Sequence, residues 1–356
     1  MELIDLNKEF VLPPALEKGD KVAIVATSSG VQRFPSVLDK GVQRLEERFD
    51  LETEIFPTAE KSTEYLNSNP EQKAEEFMQA FEDPEIKAVV ALTGGDEQLR
   101  ILKHLEPQRL KENPTRFYGL SDNTNLHIYL WSLGIRSFYG GQILDDLLAE
   151  EQIGEYTYSY LEKAFFQDKI GELRPSDRFT DKFFDLSRDE VTDDRERFES
   201  PEWEFWNFDD ESVEGRLFGG CFEVLSWQLA AGRYLPDPEE LEDRILFLET
   251  SEEAPPATSV KRWLMCMGER GLLQKFSAVL VGRPIRAQLH GEERTEEEKQ
   301  EYHRTQKQAI KNEVERYCPE TPIVFDMDFG HTHPKITLPV GGKIRIDPEE
   351  KTIKEL

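Results

Sequence analysis

Short runs of β-branched and apolar residues recur along the first part of the chain, and each opens into a turn built of small polar residues. Lys21-Val22-Ala23-Ile24-Val25-Ala26 runs into Thr27-Ser28-Ser29-Gly30, Ala88-Val89-Val90-Ala91-Leu92 into Thr93-Gly94-Gly95-Asp96, and Phe117-Tyr118 into Gly119. Between them lie segments with apolar residues at helical spacing. Val37, Leu38, Leu45 and Phe49 mark residues 36–49, and Ala74, Phe77, Met78 and Phe81 mark residues 71–81. Continuous apolar strands separated by such helices predict an α/β fold with a Rossmann-like parallel sheet, residues 1–166. In that arrangement the three turns gather at the carboxyl ends of the strands, where open α/β sheets bind ligands.

The pattern changes after Phe166. Residues 167–213 are acidic, poor in long apolar runs, and contain Pro175, Pro201, Trp203 and Trp206, which predicts a linker or an excursion folded over a site. Trp203 and Trp206 are candidate ligand contacts, and equally candidate packing anchors. Residues 214–356 again alternate. Helical spacing from Cys221 to Leu229 and from Val260 to Met267 is interleaved with strand-like Arg244-Ile245-Leu246-Phe247-Leu248-Glu249, residues 277–282, 322–325 and 343–346. This predicts a smaller, β-rich α/β domain at the C-terminal end.

Charge narrows the range of partners. The 356 residues carry 72 acidic against 44 basic side chains, a formal net charge of -28. Such a surface argues against a broad phosphate-binding face, so nucleic acid is not an expected partner. Residues 189–194 and 292–298 are dense examples of the acidic excess. A distributed negative surface suits a salt-rich cytoplasm, where screening relieves self-repulsion; stability measured from low to multimolar salt checks this. Cys221, Cys266 and Cys318 are too few and too widely spaced to suggest a disulfide framework or a zinc knuckle. No signal peptide is recognised in the stretch beginning Met1-Glu2-Leu3-Ile4-Asp5, and no apolar run is long enough to cross a bilayer. A cytoplasmic protein without a membrane partner is expected.

The candidate chemistry centres on Gly119-Leu120-Ser121-Asp122. Placed between a strand and the helix-like 124–131, Ser121 can stand on a tight turn beside free backbone N–H groups, as a nucleophile requires. The N–H of Asp122 and the turn at Gly94-Gly95 are candidate oxyanion donors. His331 follows Phe329-Gly330 in a turn able to expose its ring, which makes it the candidate base, with His333 as a neighbour. Glu249 ends its strand, where a carboxylate can hold an imidazole tautomer. Each residue alone has a plain structural alternative as a cap, a packed histidine or a strand end. Asp326, Asp328, His331 and His333 together also leave open a metal-dependent hydrolase. Around Gly94-Gly95 there is no dinucleotide-binding or P-loop pattern.

The motif series GDKVAIVATSSG, ALTGGDEQLR, FYGLSDNTNLH, SFYGG, EGRLFGGCFEVL, RILFLE and DFGHTHPKITLPVGG, in this order between residues 19 and 342, resembles the serine peptidases comprising LD-carboxypeptidases and microcin C immunity (MccF-like) peptidases. That resemblance implies a two-domain, cytoplasmic, homodimeric enzyme with no cofactor and no metal. It assigns a Ser-His-Glu triad to Ser121, His331 and Glu249, and an oxyanion site to Gly95 and Asp122. Gly94, Trp203, Trp206 and His333 become candidate substrate contacts. The expected substrate is a peptidyl- or aminoacyl-nucleotide amide, with murein-derived L,D-peptides as the alternative. A non-catalytic ligand-binding protein on the same fold is the third reading.

Overall fold

A computed structural model describes residues 9–148, 153–182, 195–287 and 293–356. The acidic run 189–194, His290 and Glu292 lie outside the described residues. Two α/β sheets organise the fold. The first contains β1 (Lys21–Val25), β2 (Glu52–Ile55), β3 (Ile86–Ala91), β4 (Arg116–Gly119) and β5 (Ser137–Tyr139), all parallel and ordered 2-1-3-4-5. Val22 and Ile24 pack into one apolar cluster while Ala23 and Val25 pack into another. Burial on both faces explains why β1 and β3 read as apolar runs, whereas the edge strand β2, Glu52-Thr53-Glu54-Ile55, is not fully buried and carries no such signal.

The segment after Phe166 supplies β6 (Glu172–Leu173), β7 (Arg178–Phe179), β8 (Phe198–Glu199) and β9 (Glu204–Trp206). The remaining strands are β10 (Val213–Cys221), β11 (Arg244–Glu249), β12 (Phe276–Gly282), β13 (Ile323–Met327), β14 (Leu338–Val340), β15 (Lys343–Asp347) and β16 (Thr352–Glu355). The second sheet runs 6-16-15-10-11-12-13-9, with a parallel centre, β10 to β13, and antiparallel edges. Both sheets are mixed, which corrects the expectation of a purely parallel Rossmann-like first sheet. Its sixth strand is β14, which crosses back from the C-terminal part and pairs antiparallel with β5.

The segments with helical spacing form helices. Pro35–Phe49 and Pro70–Glu82 flank the first sheet, and Phe222–Ala231 and Ala257–Glu269 belong to the second. The acidic run before residue 299 enters the helix Glu296–Tyr317, started by a capping box between Thr295 and Glu298. Trp131, in the helix Thr124–Ser132, joins the two sheets by donating its indole N–H to the Leu217 carbonyl at 3.2 Å. One apolar cluster runs through both, from Val22 and Tyr118 to Phe218 and Leu246. The carboxyl ends of β1, β3 and β4 therefore face the loop after β11 across one cleft.

Candidate active site

Ser121 sits at the mouth of β4 with φ +62°, opening a single helical turn, Ser121–Asn123, that continues into the helix Thr124–Ser132. A left-handed conformation is costly for a serine and persists only where its surroundings impose it. Here the Leu120 N–H donates to Gln142 at 3.2 Å, and the Asn123 amide donates to the carbonyls of Thr93 (3.2 Å) and Leu120 (3.0 Å). The Ser121 N–H donates to the Tyr139 hydroxyl at 3.2 Å. It is therefore engaged. The Asp122 N–H, in the first helical turn, has no intrahelical acceptor and remains available.

Asp122 divides its work between backbone and side chain. The carboxylate is fully buried, takes hydrogen bonds from the Ser28 hydroxyl and from the Gln98 N–H at 2.9 Å, and is pushed up to about 6 by burial. It fastens the β1 and β3 turns beneath the serine. Gly94 borders the serine so closely that a Cβ there would lie 3.0 Å from Ser121 Cβ and 3.5 Å from the Asp122 nitrogen. Gly95, at φ +153°, leaves no room for a Cβ beside the hydroxyls of Ser28 and Ser29.

Glu249 closes β11 and is 2% exposed. Its Oε2 meets His331 Nδ1 at 2.6 Å, and its Oε1 accepts the Tyr139 hydroxyl at 2.5 Å. The approach depends on glycine. At Gly330, φ +96°, a Cβ would stand 2.6 Å from Glu249 Oε2. On the other side of the ring, His331 Nε2 lies 3.1 Å from Glu252 Oε2, an oxygen shielded from solvent and without an aligned hydrogen bond. Burial disfavours the imidazolium, but the two carboxylates outweigh it and hold His331 well above its ordinary pKa.

Ser121, His331, Gly94, Gly95 and His333 line one cavity of about 340 Å³, together with Gln142, Asp145, Lys182 and Glu252. Among the described residues no hydrogen bond joins Ser121 to His331. His333 Nε2 contacts Asp145 at 3.2 Å, and Asp145 also pairs with Lys335. Burial, followed by Lys335, lowers His333 to about 4, so its ring is neutral at pH 7. Burial opposes the Asp145 charge, but Lys335 and His333 hold that carboxyl well below its usual range.

The tryptophans stand elsewhere. Trp203 is 5% exposed and donates its indole N–H to Asp328 at 2.9 Å, while Trp206 pairs with Ile323 in the second sheet and lies under Lys311. Neither lines the cavity, and the buried Trp203 already has the N–H acceptor that a buried indole needs. The run Asp326 to His333 is likewise dispersed. Asp326 engages His303 at 2.5 Å and Lys307 at 2.7 Å, and Asp328 engages Arg283 at 3.0 Å, so these carboxylates do not converge with His331 and His333. Among the described residues no cluster of three or more histidines, cysteines or carboxylates is arranged to hold a metal. Tyr139 and Glu252 escaped the sequence reading. The tyrosine is visible within SFYGG, but nothing local tells which carboxylate it meets.

Comparison with known proteins agrees with this architecture. Residues 22–140 match the LD-carboxypeptidase N-terminal domain, and residues 214–346 match the LD-carboxypeptidase C-terminal domain. The chain is 23% identical to the microcin C7 self-immunity protein MccF of Escherichia coli over 82% of this chain and 80% of that protein. It is 25% identical to a probable murein peptide carboxypeptidase of Bacillus subtilis over 96% and 92%. An MccF-like protein from Streptococcus pneumoniae, solved in complex with AMP, superposes with a TM-score of 0.84 at 27% identity, covering 95% of this chain and 99% of that one. With both domains matched in order, the chain belongs to the LD-carboxypeptidase family of serine peptidases that includes the MccF-like proteins, and it is an enzyme of the serine hydrolase type.

Proposed function

We propose that Ser121, His331 and Glu249 form the catalytic triad of an amidase that cleaves peptidyl- or aminoacyl-nucleotide amides. The observation that carries this reading is the 2.6 Å contact from Glu249 to His331 Nδ1 in the cleft that also presents Ser121 on a strained turn. With Nδ1 engaged, Nε2 is the nitrogen that takes the Ser121 proton as the hydroxyl attacks the amide carbon. Charge developing on the carbonyl oxygen meets the N–H groups of Asp122 and Gly95, since the Ser121 N–H is committed to Tyr139. His331 then protonates the leaving nitrogen. Water, activated by the same ring, hydrolyses the acyl-serine and restores the hydroxyl.

Preference for a nucleotide leaving group is supported by the AMP complex of the Streptococcus pneumoniae MccF-like protein. The fold is also shared with MccF bound to aspartyl sulfamoyl adenosine, at a TM-score of 0.80. The Bacillus subtilis relative keeps murein peptides as the second reading. Mass-resolved incubation of the wild type and Ser121→Ala with aspartyl sulfamoyl adenosine and with an L,D-tetrapeptide separates the two. Cleavage of the adenosine conjugate by the wild type alone is expected. Equal cleavage by both proteins sinks the serine mechanism, and cleavage of the tetrapeptide alone moves the enzyme to murein. The proposal extends to a cytoplasmic homodimer, which sedimentation would register as twice the 41.3 kDa chain.

A further inference from the structure

Glu252 is the cavity carboxylate that no lysine or arginine neutralises among the described residues; its ion-pair partner is His331. Asp145, across the cavity, is answered by Lys335 and His333, and Glu249 by Tyr139 and His331. The Glu252 loop is built rather than loose. Glu223, 4% exposed, accepts both the Ser251 N–H (3.0 Å) and the Ser251 hydroxyl (2.7 Å), and the Ala254 N–H returns to the Ser251 carbonyl at 3.1 Å. These bonds fix Ser251, so that the next residue presents its carboxylate over Nε2 of the base.

That position has a chemical consequence. An amide carbon attacked by Ser121 must approach His331 Nε2, because the same nitrogen takes the serine proton and later serves the leaving group. An amine on the adjacent carbon lies two bonds from the carbonyl carbon, about 2.5 Å by standard geometry. It is thereby carried to the carboxylate that touches Nε2. We propose that Glu252 is the subsite for a protonated α-amine on the acyl side of the scissile amide, and that it covers His331 Nε2 until such an ammonium claims it. This rests on the amidase reading above.

An ammonium offers three donors and a full charge, so it competes with His331 for the Glu252 carboxylate. Once Glu252 turns to the amine, Nε2 is free to accept the serine proton. An acyl group whose α-amine is already part of a peptide bond supplies no such cation and leaves Glu252 on the base. The substrate class is therefore a single aminoacyl amide with a free α-amine, in preference to a peptidyl one.

Calorimetric binding to the inactive Ser121→Ala protein tests this without turnover. The probes are aspartyl sulfamoyl adenosine and its succinyl counterpart, identical except for the missing α-amine. The free amine is expected to tighten binding by about tenfold to a hundredfold, the range of a hydrogen bond to a charged group. In Ser121→Ala/Glu252→Gln the ratio collapses towards one, while Glu252→Asp in the same background keeps part of it. Thermal melts establish that each variant is folded. Equal binding of the two probes, or a preference that survives Glu252→Gln, overturns the subsite while leaving the triad standing. Binding of neither probe overturns both the subsite and the nucleotide-conjugate reading.

Discussion

Replacing Tyr139 by phenylalanine removes one oxygen from the seam between the two sheets. That oxygen donates to Glu249 Oε1 at 2.5 Å and accepts the Ser121 N–H at 3.2 Å, so it ties the turn of the proposed nucleophile to the proposed triad carboxylate. The ring keeps its packing against Phe247, 5.3 Å between centroids, and His127, 5.5 Å. The perturbation is therefore polar rather than steric. It leaves a half-buried N–H and a buried carboxylate oxygen each short of a partner, at up to about 1–3 kcal/mol apiece. A Tm lowered by roughly 3–8 °C is expected. A nucleophile released from its tether also loses alignment, where a displacement of about 1 Å costs on the order of a hundredfold, so kcat should fall tenfold to a hundredfold with little change in KM. A third consequence separates positioning from simple destabilisation. With one donor gone, Glu249 holds more of its charge towards His331, the imidazolium is favoured further, and the acidic limb of kcat/KM moves to higher pH. Steady-state kinetics across pH, alongside thermal melts, read all three effects. A Tyr139→Phe enzyme with an unmoved limb and wild-type kcat would show that the tyrosine does not couple the serine to its triad.

Three other outcomes rest on the same contacts. Gly330→Ala forces a Cβ against the Glu249 carboxylate at φ +96°; it should lower kcat by about a hundredfold, judged from the same alignment cost, as steady-state assays would show. His331 must be neutral to act as base and is held above its ordinary value, so the wild-type kcat/KM limb should lie above pH 6.5 and shift down in Glu252→Gln, read from a pH–rate profile. Asp122 is raised from 3.8 to about 6, so the native state binds more protons than the unfolded chain between these values. Stability then falls as pH rises from about 4 to 6, by about 3 kcal/mol in this group's contribution, and denaturant melts should show that slope reduced in Asp122→Asn.

Much of the fold was legible because both faces of its central strands are buried. β1 and β3 declare themselves as unbroken apolar runs, and the helices Pro35–Phe49 and Pro70–Glu82 match their periodicity to within a residue or two. The return of β14 to the first sheet was not legible. Leu338-Pro339-Val340 carries a strand signal, but only tertiary packing decides which sheet edge it joins. The site divides the same way. Ser121, Glu249 and His331 each end or follow a strand, a position local signals can find. Tyr139 and Glu249 are 110 residues apart, and Glu252 is one acid in a chain with 72, so their partners had no local mark. The tryptophans stayed ambiguous in sequence because an indole in an acidic segment looks the same whether its N–H awaits a ligand or, as with Trp203, already has Asp328.

The whole mechanism stands or falls with Ser121 as a nucleophile activated by His331. Peptide mapping after reaction with a serine-directed fluorophosphonate probes that pairing without any assumption about the substrate. One adduct is expected, on Ser121, formed by the wild type and slowed strongly in His331→Ala. An adduct at another serine, or labelling of Ser121 at an equal rate without His331, would overturn the assignment.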